Sequence, residues 1–257
     1  MKQYNILDYG AIADGVTNNA AAIQQAIDEA SAEGGRVVIP QGKYLSGTLV
    51  LKSNIDFHLE KGAVLISSLN QEDIMDFAKL FEDDNACTGW DGGCFLFACH
   101  EENITISGEG VIYGQGDKVF IDDDVDGGAH ECPLSVAAFR PRTTFLEDVT
   151  NLTVRDITIQ DAAFWTLHMA GCHHVRVQDI KILNDVRGAN NDGIDPDCCK
   201  DVLITGCLVK TGDDAIVIKT TKPMTQRYGA SENIVISNCI LYSHDSALKI
   251  GTETHGD

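Results

Sequence analysis

Apolar and polar residues alternate along short runs that recur through the chain. Each run has a polar start, an alternating stretch, a small or polar residue, and a second apolar stretch. The runs start at Asn54, Asn103, Asn151, His174, Asp201 and Asn233. The last three steps are 23, 27 and 32 residues, and the earlier steps of 49 and 48 are about two periods each. Alternation predicts strands with one buried face, and a steady period of about 20–30 residues predicts a solenoid.

The type of solenoid follows from what separates the strands. The L-x-x-L-x-L frame of leucine-rich repeats is absent, and no helical pattern lies between the strands. We therefore predict an all-β fold, a single-stranded right-handed parallel β-helix in which successive coils lie about 4.8 Å apart. Residues 1–257 form one predicted domain, with 1–50 as the N-terminal cap and first coil and 51–257 as the successive coils.

A capping α-helix is predicted near the N-terminus, because an open solenoid end exposes unpaired strand edges. Thr17 is the predicted N-cap, and Gly34 with Gly35 ends the helix. Its apolar face comprises Ile23, Ala26, Ile27 and Ala30.

No such element follows the last repeat. The sequence stops at GTETHGD, about one period after Asn233. We therefore expect a chain truncated at its C-terminus, the alternative being an oligomeric partner that covers the last coil.

Two acidic clusters lie about one period apart. Asp192 stands in NNDG, and Asp213 with Asp214 stands in TGDDA, 21 positions after Asp192. On adjacent coils three carboxylates come close and repel, so that at least one stays protonated near neutral pH. A proton donor beside proton acceptors is what glycosidic hydrolysis needs. Two alternatives remain: ordinary turn residues, and calcium binding by the same carboxylates.

Charge and composition exclude several classes of partner. The net charge of −20 argues against nucleic acid, and against a polyanionic substrate unless basic residues gather locally. No apolar run approaches the about 18–20 residues that span a membrane, and no signal-peptide pattern opens the sequence. We expect a cytoplasmic protein, or a secreted one whose signal has been removed. The nine cysteines form no CxxC pair and are predicted to be small buried apolar residues.

Several stretches carry a resemblance to a known family. They are YGAIADGVTNNAAAIQQAID, GGRVVIPQGKYLSGTL, GEGVIYGQG, RPRTTFLEDVTNLTVRDITIQDAAFWTLH, NNDGIDPDCC and GDDAIVIKT. The sequence resembles the polygalacturonase family, glycoside hydrolase family 28, of the pectin-lyase-like β-helix superfamily. The resemblance implies an inverting hydrolase of pectin-type galacturonan or a related saccharide. Asp213 would be the general acid, and Asp192 and Asp214 would activate the water.

The sequence departs from this family in two places. Ser246 stands where the family motif GHGxSIG has its His. His244 lies two residues earlier and is a candidate for this role and for substrate binding, a solvent-exposed His being the alternative. The basic RIK motif of the family would lie beyond Asp257. Lys219 and Lys249 remain as local cations for the substrate, with solvated strand residues as the alternative.

Further substrate-binding candidates surround the acidic clusters. Asn190 belongs to the NNDG motif, in which Asn191 replaces the family's Thr. Trp165 and His168 lie about one coil before the first cluster, where an indole ring can stack on a sugar. A structural role is the alternative for His168. Trp90 indicates an inserted loop that walls the cleft, or a buried core residue.

The stereochemistry is open on the residues alone. Adjacent coils suggest carboxylates about 5 Å apart, which is typical of retaining enzymes, whereas the resemblance implies inversion. We follow the resemblance, because two carboxylates can hold a water between them. No cofactor or metal is predicted. The competing hypotheses are a non-catalytic β-helix fragment or carbohydrate-binding scaffold, and a polysaccharide lyase with a basic proton abstractor.

Overall fold

The chain winds through three parallel sheets that enclose one core. The computed structural model describes residues 1–76, 93–122 and 133–256, so Trp90 lies outside the described residues. Two of the sheets have eight strands and the third has seven, and within each sheet every pairing is parallel. The predicted parallel β-helix is thereby confirmed.

The strands of the three sheets follow one another in each coil. The first sheet contains Lys2–Asn5, Gly35–Ile39, Ile55–Leu59, Thr105–Gly108, Thr153–Arg155, His173–Gln178, Lys200–Thr205 and Glu232–Ser237. The second sheet contains Asp14–Asn18, Gly42–Ser46, Ala63–Ser67, Val111–Tyr113, Thr158–Gln160, Lys181–Leu183, Leu208–Thr211 and Ile240–Ser243. The third sheet contains Leu49–Val50, Cys94–Cys99, Arg142–Glu147, Leu167–Ala170, Ile194–Asp197, Ile216–Thr220 and Leu248–Thr254.

Short elements complete the described fold. Three 3-10 helices span Ile6–Tyr9, Gln71–Asp73 and Gly116–Lys118. Phe120–Ile121 pairs antiparallel with Ser135–Val136. No helix among the described residues is long and apolar enough to cross a membrane.

The strand register confirms the repeat. In the first sheet Val154 pairs with Val177, and Val175 pairs with Val202, which in turn pairs with Ile234. These partners have the same spacing as the repeat starts. Their side chains are buried or pack against the core, and full burial of such a side chain contributes about 1.5–3 kcal/mol.

The polar residue at the start of each repeat has a structural reason. All six start residues have left-handed backbone, with φ between 55° and 63°. Asn, Asp and His tolerate this conformation better than most residues. In addition, the amide of Asn103 donates to Asn54, and the amide of Asn151 donates to Asn103, at 2.9 and 3.0 Å. The start residues therefore turn the chain and join successive coils.

An α-helix, α1, closes the N-terminal end and spans Ala20–Glu33. The four predicted residues of its apolar face are fully buried. The predicted N-cap is wrong: Asn19 occupies that position. Thr17 belongs instead to the strand Asp14–Asn18, where its hydroxyl donates to the carboxylate of Asp14.

A second helix, α2, spans Lys222–Tyr228 and lies within the last repeat step, from Asp201 to Asn233. It was not predicted. Met224 packs in a small cluster with Phe145 and Ala170 on the outer face of the third sheet. Among the described residues, the strands of the last coil pair only with those of the preceding coil. Two of its apolar side chains, Ile240 and Ile250, are 69% and 75% exposed.

Five cysteines of the described residues are buried, and all seven described cysteines are free. The thiols of Cys172 and Cys199 lie near backbone carbonyl oxygens. This arrangement agrees with the interpretation of the cysteines as small core residues.

Candidate active site

Three carboxylates from adjacent coils meet at the turn that leads into the third sheet. One oxygen each from Asp192, Asp213 and Asp214 lies within 4.8 Å of the others. The strand Ile194–Asp197 follows the first of them, and Ile216–Thr220 follows the other two. The period of the sequence predicted this juxtaposition, and the structure contains it.

The backbone register fixes which residues face each other. The amide of Gly193 donates to the carbonyl of Asp214 at 2.9 Å, and Ile194 pairs with Ile216. Asp192 therefore stacks directly on Asp214, and Asp213 lies one position further out along the turn.

Asn191 holds the two coils in this register. Its fully buried side-chain oxygen accepts from the amides of Gly212 and Asp213, at 2.8 and 3.1 Å. Its amide group donates to the carbonyl of Asp185 at 2.8 Å. This side chain was noted in the sequence only as a departure from the family motif.

The glycines beside the carboxylates allow close packing of the backbone. A Cβ on Gly193 would lie 2.4 Å from the carbonyl oxygen of Ala215, and one on Gly212 would lie 2.4 Å from that of Gly188. Since real Cβ atoms do not approach this closely, both positions require glycine.

Burial and mutual repulsion set the protonation of the cluster. Asp192 and Asp214 are each 2% exposed, whereas Asp213 is partly exposed. Burial, with the charges of Asp213 and Asp214, raises the pKa of Asp192 to about 7 even though Lys219 opposes the shift. Burial and the charge of Asp214 also raise the pKa of Asp213. The cluster therefore holds a proton near neutral pH.

Two lysines of the following coils neutralise the buried carboxylates. The ammonium of Lys219 lies 3.4 Å from Asp192, and that of Lys249 lies 3.0 Å from Asp214. Both lysines were predicted to bind substrate. The structure places each ammonium against a carboxylate of the preceding coil, and substrate binding by the two lysines stays a prediction.

A deeper acidic residue, Asp195, was missed in the sequence. It is fully buried, and within the described chain its carboxylate oxygens have no hydrogen-bond partner. The ammonium of Lys219 is 3.9 Å from Asp195 and 3.3 Å from Glu253. Burial and the charge of Asp192 raise the pKa of Asp195 far above its usual range. Although burial opposes it, the acidic neighbours raise the pKa of Lys219, so this lysine stays charged.

Trp165 joins the carboxylate region to a group of cations. The ammonium of Lys219 lies 4.4 Å from its ring centroid, and the guanidinium of Arg142 lies 4.7 Å away. Its ring also stacks on Phe164 and meets His168 edge-on. The indole is partly exposed, so part of its surface remains available to a ligand.

His168 lies below this ring and is 3% exposed. Its Nε2 is 3.4 Å from Asp197, which also accepts from the amide and hydroxyl of Thr221. Burial lowers the pKa of His168 in spite of Asp197. These contacts favour the structural alternative for this residue.

The outer wall of the site contains the other candidates. Asn190 accepts from the guanidinium of Arg140 at 3.0 Å. His244 is exposed, and its Nδ1 lies 3.1 Å from the carbonyl of Val186. A cleft of about 190 Å³ brings His244 next to Asp213. The hydroxyl of Ser246 is 3.4 Å from Asp245.

The three clustered carboxylates could also bind a cation. Among the described residues, these three have carboxylate oxygens close enough together to share one metal ion. However, ammonium groups already lie within 3.4 Å of Asp192 and within 3.0 Å of Asp214. A divalent ion would have to overcome the repulsion of both lysines, so the donor set fits proton transfer better than metal binding.

Two named relatives match most of this chain. A probable polygalacturonase of Vitis vinifera is 29% identical over 226 residues, which cover 84% of this chain and 44% of the relative. Rhamnogalacturonase A of Aspergillus niger is 29% identical over 197 residues, which cover 76% of this chain and 36% of that protein. The chain thus spans less than half the length of these two relatives.

A solved structure and a family model extend the likeness. The family 28 exopolygalacturonase of Yersinia enterocolitica superposes with a TM-score of 0.81 at 25% identity, covering 98% of this chain and 51% of that one. The model of glycosyl hydrolases family 28 matches residues 34–254. Because this match takes in most of the β-helix and every candidate site residue, the chain belongs to glycosyl hydrolases family 28.

Proposed function

We propose that this protein hydrolyses glycosidic bonds of pectin-type poly- or oligosaccharides, galacturonan or a related chain. The observation that carries the proposal is the meeting of Asp192, Asp213 and Asp214 at one turn of adjacent coils. Such a group supplies both a proton donor and proton acceptors, which are the requirements of glycosidic hydrolysis. The names of the relatives support the choice of pectin-type substrates.

Asp213 is the proposed general acid. It is the most exposed of the three carboxylates and lines the cleft beside His244, where a glycosidic oxygen can approach. Its raised pKa favours the protonated form. The backbone amide of Asp214 donates to its Oδ1 at 2.9 Å, which leaves Oδ2 to carry the proton.

Asp192 and Asp214 are the proposed acceptors that activate water. In the described chain, the Oδ1 atom of each is buried without a hydrogen-bond partner. Two carboxylates on residues that stack on one another can accept both hydrogens of one water. The water oxygen then bonds to the anomeric carbon and loses a proton to the pair, while Asp213 protonates the departing oxygen. This single displacement inverts the anomeric centre.

The sugar is the finer part of the proposal. A galacturonan is anionic, and the chain carries a net charge of −20. Locally, the guanidinium of Arg142 and the ammonium of Lys219 lie over the ring of Trp165, and Lys219 is also 3.4 Å from Asp192. This gathering of cations supports a uronate-containing substrate. A rhamnose-containing or neutral chain is the alternative, since Lys219 also has three acidic partners.

The experiment measures reducing-sugar release from polygalacturonate, rhamnogalacturonan and a neutral galactan. We expect release from at least one uronate-containing chain, and Asp213→Asn should lower kcat by about 10²–10⁴-fold. Asp179→Asn is the matched control: Asp179 is exposed on another turn, and Asn suits its left-handed backbone. Proton NMR of the first product should show inversion. Retention would overturn the single displacement, although not the hydrolysis.

The other hypotheses have distinct outcomes in the same assay. A lyase would release products that absorb in the ultraviolet, and it needs a neutral basic side chain to remove a proton. The acidic neighbours of Lys219 keep it protonated, which argues against this role. A carbohydrate-binding scaffold would retain saccharide affinity and release no sugar from any of the three substrates.

A further inference from the structure

Each buried carboxylate of the site has a lysine from the following coil. Asp192 is paired with Lys219, and Asp214 is paired with Lys249. Asp213 has no ion pair among the described residues. Charge is therefore distributed unequally over three carboxylates that lie within 4.8 Å of one another.

The two lysines differ in how many acidic groups they serve. The ammonium of Lys219 lies within 3.9 Å of Asp192, Asp195 and Glu253. Lys249 has two partners, Asp214 at 3.0 Å and an exposed Asp245 at 3.7 Å. Solvent screens the contact with Asp245, whereas the side chain of Asp214 is 3% exposed and feels the ammonium strongly. Lys249 thus acts mainly on Asp214.

Neighbouring carboxylates cannot both be ionised at low cost, so a proton is shared between them. A fixed positive charge beside one of them decides where that proton resides. We propose that Lys249 is a positioning residue that keeps Asp214 ionised, so that of these two adjacent aspartates Asp213 is the one that carries a proton. The proposal rests on the proposed hydrolase function, because it explains how two adjacent aspartates take opposite roles.

The other charged groups around Asp213 and Asp214 do not replace the positive charge of Lys249. The titratable and charged groups that face it are Asp192, Lys219, Lys249, Asp245, His244 and Arg187. His244 is directed at the carbonyl of Val186, and Arg187 forms an ion pair with Asp122 at 2.6 Å. The hydrogen bond to Asp214 raises the pKa of Lys249, so its ammonium persists across the neutral range.

The decisive variant is Lys249→Met, which keeps the unbranched stem of the side chain and removes its charged end. Without the ammonium, the proton is no longer directed to Asp213, and the ionised acceptor forms only at higher pH. We expect the acidic limb of kcat/KM to move upward by about one to three pH units, which is the usual effect of an opposite charge on a carboxyl group. Lys249→Arg restores the charge and should bring the limb back toward that of the wild type.

Lys200→Met is the matched control. The side chain of Lys200 is 29% exposed, as is that of Lys249, and it forms an ion pair with Glu232 at 2.8 Å on the first sheet. Its loss should leave the pH profile unchanged. The proposal is overturned if Lys249→Met has the wild-type acidic limb, or if Lys249→Arg behaves like Lys249→Met.

A second measurement does not depend on activity. Without the ammonium, the buried Asp214 can avoid an unpaired charge only by taking up a proton, which is easier at low pH, so the loss of Tm in Lys249→Met should be smaller near pH 4 than at pH 8. The corresponding difference for Lys200→Met should stay nearly constant over this range, because Glu232 is exposed. A wild type that releases no sugar would refute the proposed function alone. A pH-independent Tm difference in Lys249→Met would refute the positioning role alone.

Discussion

Replacing the catalytic candidate Asp192 by Asn should make the folded protein more stable at neutral pH while it abolishes hydrolysis. Asp192 is 2% exposed and lies beside two further carboxylates. An ionised carboxylate in this place has lost its hydration and is repelled by its neighbours. Asn has nearly the same shape and no charge, so it removes the repulsion and keeps the packing.

The magnitude follows from the shift of the carboxyl group. The pKa of Asp192 rises from 3.8 to about 7 on folding, with burial as the main cause. A folded pKa above the unfolded one means that the folded state keeps its proton longer. The favourable contribution is therefore complete below pH 3.8 and is lost as the pH rises to about 7. At about 1.36 kcal/mol for each pKa unit, the loss amounts to about 4 kcal/mol at pH 8.

Differential scanning calorimetry of both proteins from pH 4 to pH 8 tests this reasoning. A chain of this size gains about 2–4 °C in Tm for each kcal/mol, so Asp192→Asn should melt about 8–16 °C higher at pH 8. The two Tm values should converge near pH 4. Asp179→Asn, on an exposed turn, should show a flat difference. A variant that is less stable than the wild type at pH 8, or equally stable at every pH, would refute the argument.

Three further variants test other contacts of the site. Asn191→Ala leaves the backbone amides of Gly212 and Asp213 without their acceptor. A lost acceptor costs up to about 1–3 kcal/mol for each amide, so calorimetry should show a lower Tm. The kcat should also fall, because Asp213 is displaced. Gly212→Ala puts a Cβ 2.4 Å from a backbone oxygen and should lower Tm at every pH, whereas a mere loss of activity with wild-type Tm would contradict this packing. Trp165→Ala should raise KM for the saccharide more than it lowers kcat, and Trp165→Phe should restore part of the affinity, since a ring can still stack on the sugar. Equal KM values in wild type and Trp165→Ala would remove this residue from the binding site.

The fold could be predicted from the sequence because every coil needs apolar residues at its inward positions and residues that tolerate left-handed backbone at its turns. Inward positions such as Val175 and Val202 must be apolar, and turn positions such as Asn103 and Asn151 must tolerate left-handed backbone. Both signals recur with the same period. The helix α2 gave no comparable signal, because its seven residues are too few for a helical periodicity. Its place depends on distant contacts, for example that of Tyr228 with Glu147, 81 residues earlier.

The site was accessible only in part for a related reason. The period brings Asp192 next to the pair that follows one coil later, so the meeting of carboxylates could be predicted. The carboxylates that the two lysines contact could not be predicted. A lysine side chain reaches the neighbouring coil, and the strand register decides which carboxylate it meets there. Lys249 pairs with Val217 in the sheet, and only this register directs its ammonium at Asp214. Asp195 was overlooked because the strand Ile194–Asp197 contains two aspartates, and the sequence gives no sign that either of them is buried.

The net charge of −20 does not conflict with the binding of an anionic saccharide at the site. A surface rich in carboxylates would repel an anionic chain, but its field is screened beyond about 10 Å in ordinary salt. Within the site, Lys219 and Arg142 stand against Trp165, and Lys249 stands against Asp214. The two lysines are held by the acidic groups themselves, because carboxylate neighbours raise the pKa of both ammonium groups. The carboxylates thus have two effects: they move protons in the proposed reaction, and they keep Lys219 and Lys249 charged against the opposing effect of burial.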